Sequence, residues 1–262
     1  MKIAFWNLAK NNIEDYVIDL ILENNIDICI FAEYQKIDFD SVISKLKKYK
    51  FYDGMGGCTK IKLISSNECN VEIKREQDRY SIYSISINNS NYIIAGIHLQ
   101  DRMNNDSDVR KNTIRNLIVD IKEQESTLKH SNTIVIGDFN ASPFDEELVQ
   151  KDAFNAVLFK DLILKTENVT FNGTRYKRFY NPMLNYISED NSTYGTYYLS
   201  NGLKNIYWYF LDQIIVRKNL VSSLNSINII KSINNKRLTK EILPNKDISD
   251  HLPLIAEFEE CV

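Results

Sequence analysis

Short apolar segments of strand length recur along this chain, and several of them end at a polar side chain. The run from Ile26 to Ala32 is directly followed by Glu33. The run from Thr133 to Ile136 is directly followed by a glycine and then Asp138. Continuous apolar runs of this length are typical of strands that are buried on both faces of a sheet. The chain is therefore expected to build large, covered β-sheets with polar groups at the strand ends.

Segments with helical spacing separate some of these strands. Ile13, Val17, Leu20 and Ile21 follow a helical period, and the segment from Ile114 to Ile121 does so again. The region from Ile61 to Leu99 instead reads as consecutive strands rich in β-branched and aromatic residues. Many strands with helices at intervals predict two packed sheets covered by helices. No linker or repeat interrupts the pattern, so residues 1–262 are expected to form a single domain.

The bulk composition limits the classes of function. The formal net charge is -3 and the pI about 5.7, which argues against a large non-specific DNA footprint but allows a local basic patch or a metal. The four cysteines form no CxxC pair, so a zinc ribbon is not expected. No signal peptide and no apolar stretch of membrane-spanning length is visible, so we expect a cytoplasmic protein without a membrane anchor.

Six sites carry polar side chains of catalytic type at, or inside, an otherwise apolar strand. Each alone has an ordinary structural explanation, such as a turn residue after a strand or a hydrogen-bonded core histidine. Equivalent ends of parallel strands meet at one edge of a sheet, however, so these groups can converge on one cleft. Two of the three histidines are among them. In chain order the side chains are those of Asn7, Glu33, His98, Asp138 with Asn140, Asp212, and Asp250 with His251.

The motifs around these residues resemble those of the endonuclease/exonuclease/phosphatase superfamily, and they do so in order over essentially the whole chain. That superfamily includes deoxyribonuclease I, exonuclease III-type abasic-site endonucleases, inositol polyphosphate 5-phosphatases and neutral sphingomyelinases. The matching segments are Trp6-Asn7, Phe31-Ala32-Glu33, Ile97-His98-Leu99, Gly137-Asp138-Phe139-Asn140, Leu211-Asp212-Gln213-Ile214 and Ser249-Asp250-His251. One departure is Gly57 to Ile61, which is the nearest equivalent of a family strand but is altered.

The resemblance implies a fold, a reaction and a metal. The fold would be an α/β four-layer sandwich of two mixed β-sheets packed face to face, with helices on the outside. The reaction would be in-line attack of an activated water on phosphorus, assisted by Mg²⁺ or Mn²⁺. Glu33 would hold the metal, with Asp250 near it, because hard oxygen ligands suit such ions.

The resemblance also assigns roles to the remaining residues. His251 would act as a general base or as an electrostatic contact to the phosphate, and Asp212 would orient its ring. Asp138 would orient or deprotonate the attacking water. The other members of the set would contact the phosphate and the nucleophile, with His98 donating to a non-bridging oxygen; they are Asn7, Asn140 and His98.

A segment of interleaved basic and aromatic residues, from Thr170 to Trp208, predicts where a substrate would bind. Basic groups that contact phosphates and rings that stack on bases are typical of nucleic-acid sites. An equally good interpretation is a tyrosine-rich structural loop on the sheet edge. The candidate substrate-binding residues are Arg175, Arg178, Tyr180 and Asn181.

Three functions therefore compete. The favoured one is a nuclease acting on DNA or RNA. The alternatives are a phosphatase or phosphodiesterase acting on inositol phosphates, phospholipids or other small phosphate esters, and a non-catalytic binding module on the same fold. No protein partner can be inferred from the sequence.

Overall fold

Two mixed β-sheets form the centre of the protein in the computed structural model, which describes residues 1–101, 107–183, 195–199 and 208–259. In chain order the strands are β1 (Lys2–Asn7), β2 (Ile28–Ala32), β3 (Tyr49–Tyr52), β4 (Lys62–Ser66), β5 (Asn70–Gln77), β6 (Tyr80–Ile87), β7 (Ser90–His98), β8 (Thr133–Asp138), β9 (Ala156–Val157), β10 (Asn168–Phe171), β11 (Thr174–Lys177), β12 (Phe179–Tyr180), β13 (Tyr197–Tyr198), β14 (Trp208–Tyr209), β15 (Asp212–Val216), β16 (Leu224–Ile229), β17 (Ser232–Ile233), β18 (Lys236–Arg237), β19 (Thr239–Lys240), β20 (Leu243–Pro244) and β21 (Leu254–Phe258). The helices are α1 (Glu14–Asn24), α2 (Phe39–Lys45), α3 (Ser107–Leu128), α4 (Glu146–Val149) and α5 (Lys160–Lys165).

The two large sheets combine parallel and antiparallel pairs. The six-stranded sheet has the order β16-β21-β1-β2-β4-β3, in which β1 and β2 are parallel. The seven-stranded sheet has the order β5-β6-β7-β8-β15-β12-β9, in which β7 and β8 are parallel. Among the described residues, four short two-stranded pairs lie in the connecting segments: β10 with β11, β13 with β14, β17 with β18, and β19 with β20.

Alternation along the seven-stranded sheet divides the core into layers. Ile94, Ile136 and Ile214 lie in a buried cluster that also contains residues of the six-stranded sheet and of α1. The neighbouring positions along the same strands face the opposite way, and they pack with Ile114 and Leu117 of α3. Because side chains alternate with a period of two, each strand serves both layers. The predicted arrangement of two mixed sheets with helices outside is confirmed.

The helices follow the predicted apolar spacing. In α1, Val17, Leu20 and Ile21 are buried on one side, and in α3 Ile114, Leu117 and Ile121 are buried. The Asp38 side chain caps α2 by accepting two backbone N–H groups of its first turn. None of the helices in the described ranges is both long and apolar enough to cross a membrane.

Strand direction brings the functional positions to one edge of the sandwich. The parallel strands β1 and β2 end there, and so do β7 and β8. Strands β15 and β21 run antiparallel to β8 and β1, so they begin at the same edge. An Asn7 Nδ2 to Asp138 Oδ2 hydrogen bond of 3.1 Å joins the two sheets at this edge.

Two glycines allow the close packing near this edge. A Cβ atom on Gly96 would lie 2.9 Å from Ile61 Cγ2 and 3.0 Å from Ile30 Cγ2, so the glycine lets the sheets approach two residues before His98. Gly137 has a φ of 154°, and a Cβ there would overlap the carbonyl oxygen of Ile97. The backbone geometry therefore dictates the glycine that precedes Asp138.

Candidate active site

A buried histidine–aspartate pair lies in the floor of a cleft at the shared strand edge. Nδ1 of His251 is 2.8 Å from Oδ2 of Asp212, and both side chains are buried. Asp212 is the first residue of β15, and its backbone N–H donates to Thr196 Oγ1 at 3.0 Å. The hydrogen bond fixes the orientation of the imidazole and leaves Nε2 as the nitrogen directed away from Asp212.

Local contacts hold the loop that carries His251 against the first strand. The Ser249 hydroxyl donates to the carbonyl oxygen of Asn7 at 2.7 Å and accepts the N–H of His251 at 3.0 Å. The indole N–H of Trp6 donates to the carbonyl oxygen of His251 at 3.1 Å. The serine of the Ser-Asp-His motif thus positions the loop, and the motif is tied to β1 on both sides of the histidine.

Asp138 is a buried carboxylate held by two donors. Its Oδ1 accepts the backbone N–H of Asn140 at 2.8 Å, and its Oδ2 accepts the side-chain amide of Asn7 at 3.1 Å. His251 Nε2 lies 4.0 Å from the same Oδ2 atom. Burial raises the pKa of Asp138, while His251 and the two donors act in the opposite direction. Such a carboxylate is suited to accept a proton from a bound water.

The side chains of the two asparagines form hydrogen bonds that hold neighbouring groups in place. Asn7 Oδ1 accepts the N–H of Ala9 at 3.0 Å, so its amide is fixed from both ends. Asn140 adopts a left-handed backbone with a φ of 46°, which asparagine tolerates better than most residues. Its Nδ2 donates to the carbonyl oxygen of Leu99 at 2.9 Å. Asn140 also lines the cleft, whereas the structure shows Asn7 mainly as a support for Asp138.

His98 stands between two carboxylates. Its Nε2 atom is 3.7 Å from Glu33 Oε1 and 3.7 Å from Asp138 Oδ2. Burial lowers the pKa of His98 to about 4, despite the opposing charge of Glu33, so the ring is neutral near pH 7. A neutral ring with a proton on Nε2 can donate one hydrogen bond into the cleft.

His251 has the opposite electrostatic character. Burial alone would lower its pKa, but Asp212, Asp138 and Asp250 together raise the pKa to about 10. The ring is consequently an imidazolium near pH 7. Of the two roles that the sequence left open, this charge favours an electrostatic contact to a phosphate over that of a general base in the free protein.

Glu33 and Asp250 are the most accessible carboxylates of this group. Their side chains are 27% and 33% exposed, and both line the same cleft of about 750 Å³. Lys10 Nζ lies 3.8 Å from Glu33 Oε2, which is longer than a hydrogen bond. Glu33 has a φ of 50°, so the chain turns sharply where β2 ends. These oxygens fit a hard divalent cation such as Mg²⁺.

Another set of donors is less suitable for a metal. One ligand atom from each of Asp138, Asp212 and His251 lies within 4.8 Å of the others. The closest atoms of His251 and Asp212 are already bonded to each other, however, and would have to separate to bind an ion. Glu33 and Asp250 therefore stay the predicted metal ligands.

None of the four predicted substrate-binding residues lines this cleft. Tyr180 and Asn181 are 4% and 0% exposed, and Asn181 donates to Gln213 Oε1 at 2.7 Å. Substrate contact by these two side chains is therefore not supported, because burial and internal bonding occupy them. Arg178 donates to the carbonyl oxygen of Thr166 at 2.9 Å, and Arg175 lies on the exposed strand β11. For the two arginines, substrate contact stays a prediction, since neither lines the cleft.

Several residues that line the cleft were not singled out by motif. The Tyr197 ring packs against His251 at a tilt of 40°, with ring centroids 4.7 Å apart. Lys10, Lys60 and Arg79 bring positive charge to the cleft. Tyr197 lies in the aromatic segment that the sequence marked, and Lys60 lies in the altered stretch after Glu33. The altered stretch was a sequence signal that could have pointed to Lys60, but no local pattern indicates that Arg79 reaches the cleft.

Comparison with solved structures identifies the fold. TDP2 of D. rerio, complexed with a single strand DNA product, has a TM-score of 0.62 at 12% identity, covering 99% of both chains. The 3'-5' exonuclease NExo from Neisseria meningitidis has a TM-score of 0.57 at 14% identity, covering 99% of this chain and 100% of that chain. The endonuclease domain of TRAS1, a telomere-specific non-LTR retrotransposon, has a TM-score of 0.58 at 11% identity, covering 100% and 99%. No protein-family model and no curated protein matches the sequence.

Together the sheet order and these likenesses show that the chain has the fold of the endonuclease/exonuclease/phosphatase superfamily, as its motifs predicted.

Proposed function

We propose that this protein is a divalent-metal-dependent phosphodiesterase that hydrolyses DNA or RNA. The observation that carries the proposal is the convergence of His251, Asp138, His98 and Glu33 in one cleft, with His251 bonded to Asp212. Carboxylates, a charged imidazolium and a neutral imidazole within a few ångströms are the groups that phosphoryl transfer requires. The nuclease names of the similar structures support the choice of substrate.

The metal would be held by the two accessible carboxylates, Glu33 and Asp250. Mg²⁺ or Mn²⁺ bound there supplies charge neutralisation at the phosphoryl group. The residues themselves support this assignment, since Glu33, Asp138 and Asp250 crowd negative charge into one cleft. Removing the metal with EDTA is expected to abolish hydrolysis.

The side chains of the cleft have separate roles in the proposed reaction. Asp138 accepts a proton from the attacking water, whose oxygen forms a bond to phosphorus as the bond to the leaving oxygen breaks. The imidazolium of His251 contacts a phosphoryl oxygen, and Asp212 holds that ring. His98 donates to a second non-bridging oxygen, on which negative charge increases in the transition state. Asn7 and Asn140 keep the carboxylate of Asp138 in place.

The test is a substrate panel with purified protein and Mg²⁺ or Mn²⁺. Single-stranded, duplex and abasic DNA, RNA, an inositol polyphosphate and phospholipid vesicles are compared under the same conditions. Cleavage of a nucleic acid that depends on metal and is lost in His251→Ala and Asp138→Ala supports the proposal. Wild-type protein that cleaves none of these would instead favour a binding module.

A second candidate is a phosphatase or phosphodiesterase acting on a small phosphate ester. The acidic pI of about 5.7 favours it, because long polyanions bind better to basic proteins. The same panel separates the two, since this alternative predicts turnover of inositol phosphate or another small ester and none of the nucleic acids.

A further inference from the structure

Two neighbouring loops place positive side chains on one wall of the cleft. The loop between β3 and β4, residues 53–61, contributes Lys60, and the turn between β5 and β6 contributes Arg79. Both side chains line the cleft together with Glu33 and His98. We call the Lys60 and Arg79 surface the cationic wall.

The loop that carries Lys60 is hydrogen-bonded to the end of β5 and to the turn that carries Arg79. Glu76, near the end of β5, accepts the backbone N–H groups of Met55 at 2.8 Å and Gly57 at 2.9 Å. The Cys58 thiol donates to the carbonyl oxygen of Asp78 at 3.6 Å. Two hydrogen bonds to one carboxylate fix the backbone of this loop. The position of Lys60, which follows in the same loop, is therefore restricted as well.

The first loop is also bonded to its own sheet. The Tyr34 hydroxyl donates to the carbonyl oxygen of Thr59 at 2.8 Å, on the residue before Lys60. At the loop's base, Lys62 Nζ lies 2.6 Å from Asp53 Oδ1, so that lysine is paired. Within the described parts of the chain, Lys60 has no ion pair or hydrogen bond of its own. The loop therefore holds the ammonium group of Lys60, unpaired among the described residues, in the cleft that Glu33 and Asp138 also line.

Arg79 lies directly beside His98. Its backbone carbonyl accepts the N–H of His98 at 2.9 Å, and its side chain is 25% exposed. Its Nε lies 2.9 Å from Asp78 Oδ2, an ion pair whose aspartate is 68% exposed and so well screened. Among the described residues, no hydrogen bond or ion pair involves its other two guanidinium nitrogens, which can contact an anion.

We propose that the cationic wall binds backbone phosphates that flank the scissile diester of a nucleic-acid strand. This inference rests on the proposed function and names how the same site recognises a long substrate. The scissile group itself is served by the deeper His98 and His251, whereas Lys60 and Arg79 come from loops at the rim. In a chain with a formal net charge of -3, attraction of a polyanion has to come from local cations such as these.

The first test measures binding, so it does not depend on turnover. Fluorescence anisotropy with a labelled single-stranded oligonucleotide in EDTA gives the dissociation constant of each variant over a series of NaCl concentrations. For Lys60→Ala and for Arg79→Ala, the slope of log affinity against log salt should become shallower by about 0.7 per lost phosphate contact. Lys60→Arg should keep the wild-type slope, and so should Lys47→Ala, which removes an exposed lysine outside the cleft.

The second test compares two substrates. In Lys60→Ala, KM for the oligonucleotide should rise by a larger factor than KM for bis(p-nitrophenyl) phosphate, which has no flanking phosphate. An unchanged salt slope, or equal loss on both substrates, overturns the proposal, as does a wild-type protein that binds no oligonucleotide. Salt-dependent binding through the cationic wall without hydrolysis of any phosphodiester would refute the proposed function while supporting the wall.

Discussion

Nδ1 of His251 lies 2.8 Å from Oδ2 of Asp212, although the two residues are 39 positions apart in the chain. The bond forms because β15 begins at the sheet edge where the loop before β21 is hydrogen-bonded to β1. Asp212 is fully buried and His251 nearly so, which makes the interaction strong and its orientation fixed. The same bond keeps the imidazole charged, because a buried carboxylate favours the protonated ring.

Replacing the aspartate should separate orientation from binding. In Asp212→Asn the ring loses its anionic partner, so we expect kcat to fall about 10²- to 10⁴-fold while KM changes little. Initial rates on a labelled oligonucleotide with Mg²⁺ measure this, and circular dichroism checks that the variant is folded. A variant that retains wild-type kcat would show that Asp212 does not act through His251.

Removing the Asn7 amide should shift the acid side of the activity profile. Asn7 donates to Oδ2 of Asp138, and a hydrogen bond to the charged form of a carboxylate lowers its pKa. In Asn7→Ala the pKa of Asp138 therefore rises further, and the rise of kcat/KM with pH should move to higher pH. A pH–rate series measures the shift. The same pH midpoint in both proteins would contradict the role of Asn7 as a support for this carboxylate.

Stability of the metal-free protein should depend on His251 above neutral pH. The pKa of His251 is raised from 6.5 to about 10 in the folded state, so the fold binds this proton more tightly than the unfolded chain does. The resulting stabilisation is complete below about pH 6.5 and is lost as the pH rises toward 10. Urea unfolding in EDTA should show the difference between wild type and His251→Gln shrinking over that range. A difference that stays constant with pH would argue against the raised pKa.

Two arginines of α3 form ion pairs with residues outside the helix, and these pairs should differ sharply in their contribution to stability. Arg110 and Glu147 are buried with atoms 3.1 Å apart, and Arg110 also donates to the carbonyl oxygen of Asn140 at 3.0 Å. Arg110→Met should lower the free energy of unfolding by about 3–5 kcal/mol, because it breaks a buried ion pair. It should also reduce activity through the displaced Asn140.

The matched control lies on the same helix. Arg115 and Asp152 are 2.6 Å apart, but their side chains are 51% and 46% exposed. Arg115→Met should change the free energy of unfolding by at most about 1 kcal/mol. Equal effects of the two substitutions in urea unfolding would show that burial of the Arg110 pair does not set its importance.

The residues that converge in the candidate site could be identified from the sequence because polar residues at the ends of apolar runs are visible locally. Glu33 after β2 and Asp138 at the end of β8 stand out against the apolar residues before them. Their convergence follows from strand direction, which places the ends of parallel strands at one edge. The motif order then indicated the fold despite the low identity to solved structures.

The burial of two predicted substrate-binding residues could not be predicted, because the sequence pattern does not show which strands will cover them. Strand β12 lies between β9 and β15, so Tyr180 is buried inside the sheet instead of facing a substrate. The cationic wall was missed for a related reason. Lys60 and Arg79 line the same cleft because Glu76 and Cys58 form hydrogen bonds that join segments of the two sheets. Such loop contacts leave no periodic signal in the sequence.

The central claim is that this cleft hydrolyses phosphodiester bonds in nucleic acid by means of its buried histidine. The most direct test is the initial rate on labelled single-stranded DNA with Mg²⁺ for wild type, His251→Ala and His130→Ala, repeated in EDTA. His130 lies outside the cleft and serves as the histidine control. We predict hydrolysis by wild type and His130→Ala, about 10²-fold or greater loss in His251→Ala, and none in EDTA. Equal rates for wild type and His251→Ala, or hydrolysis that persists in EDTA, would contradict the account.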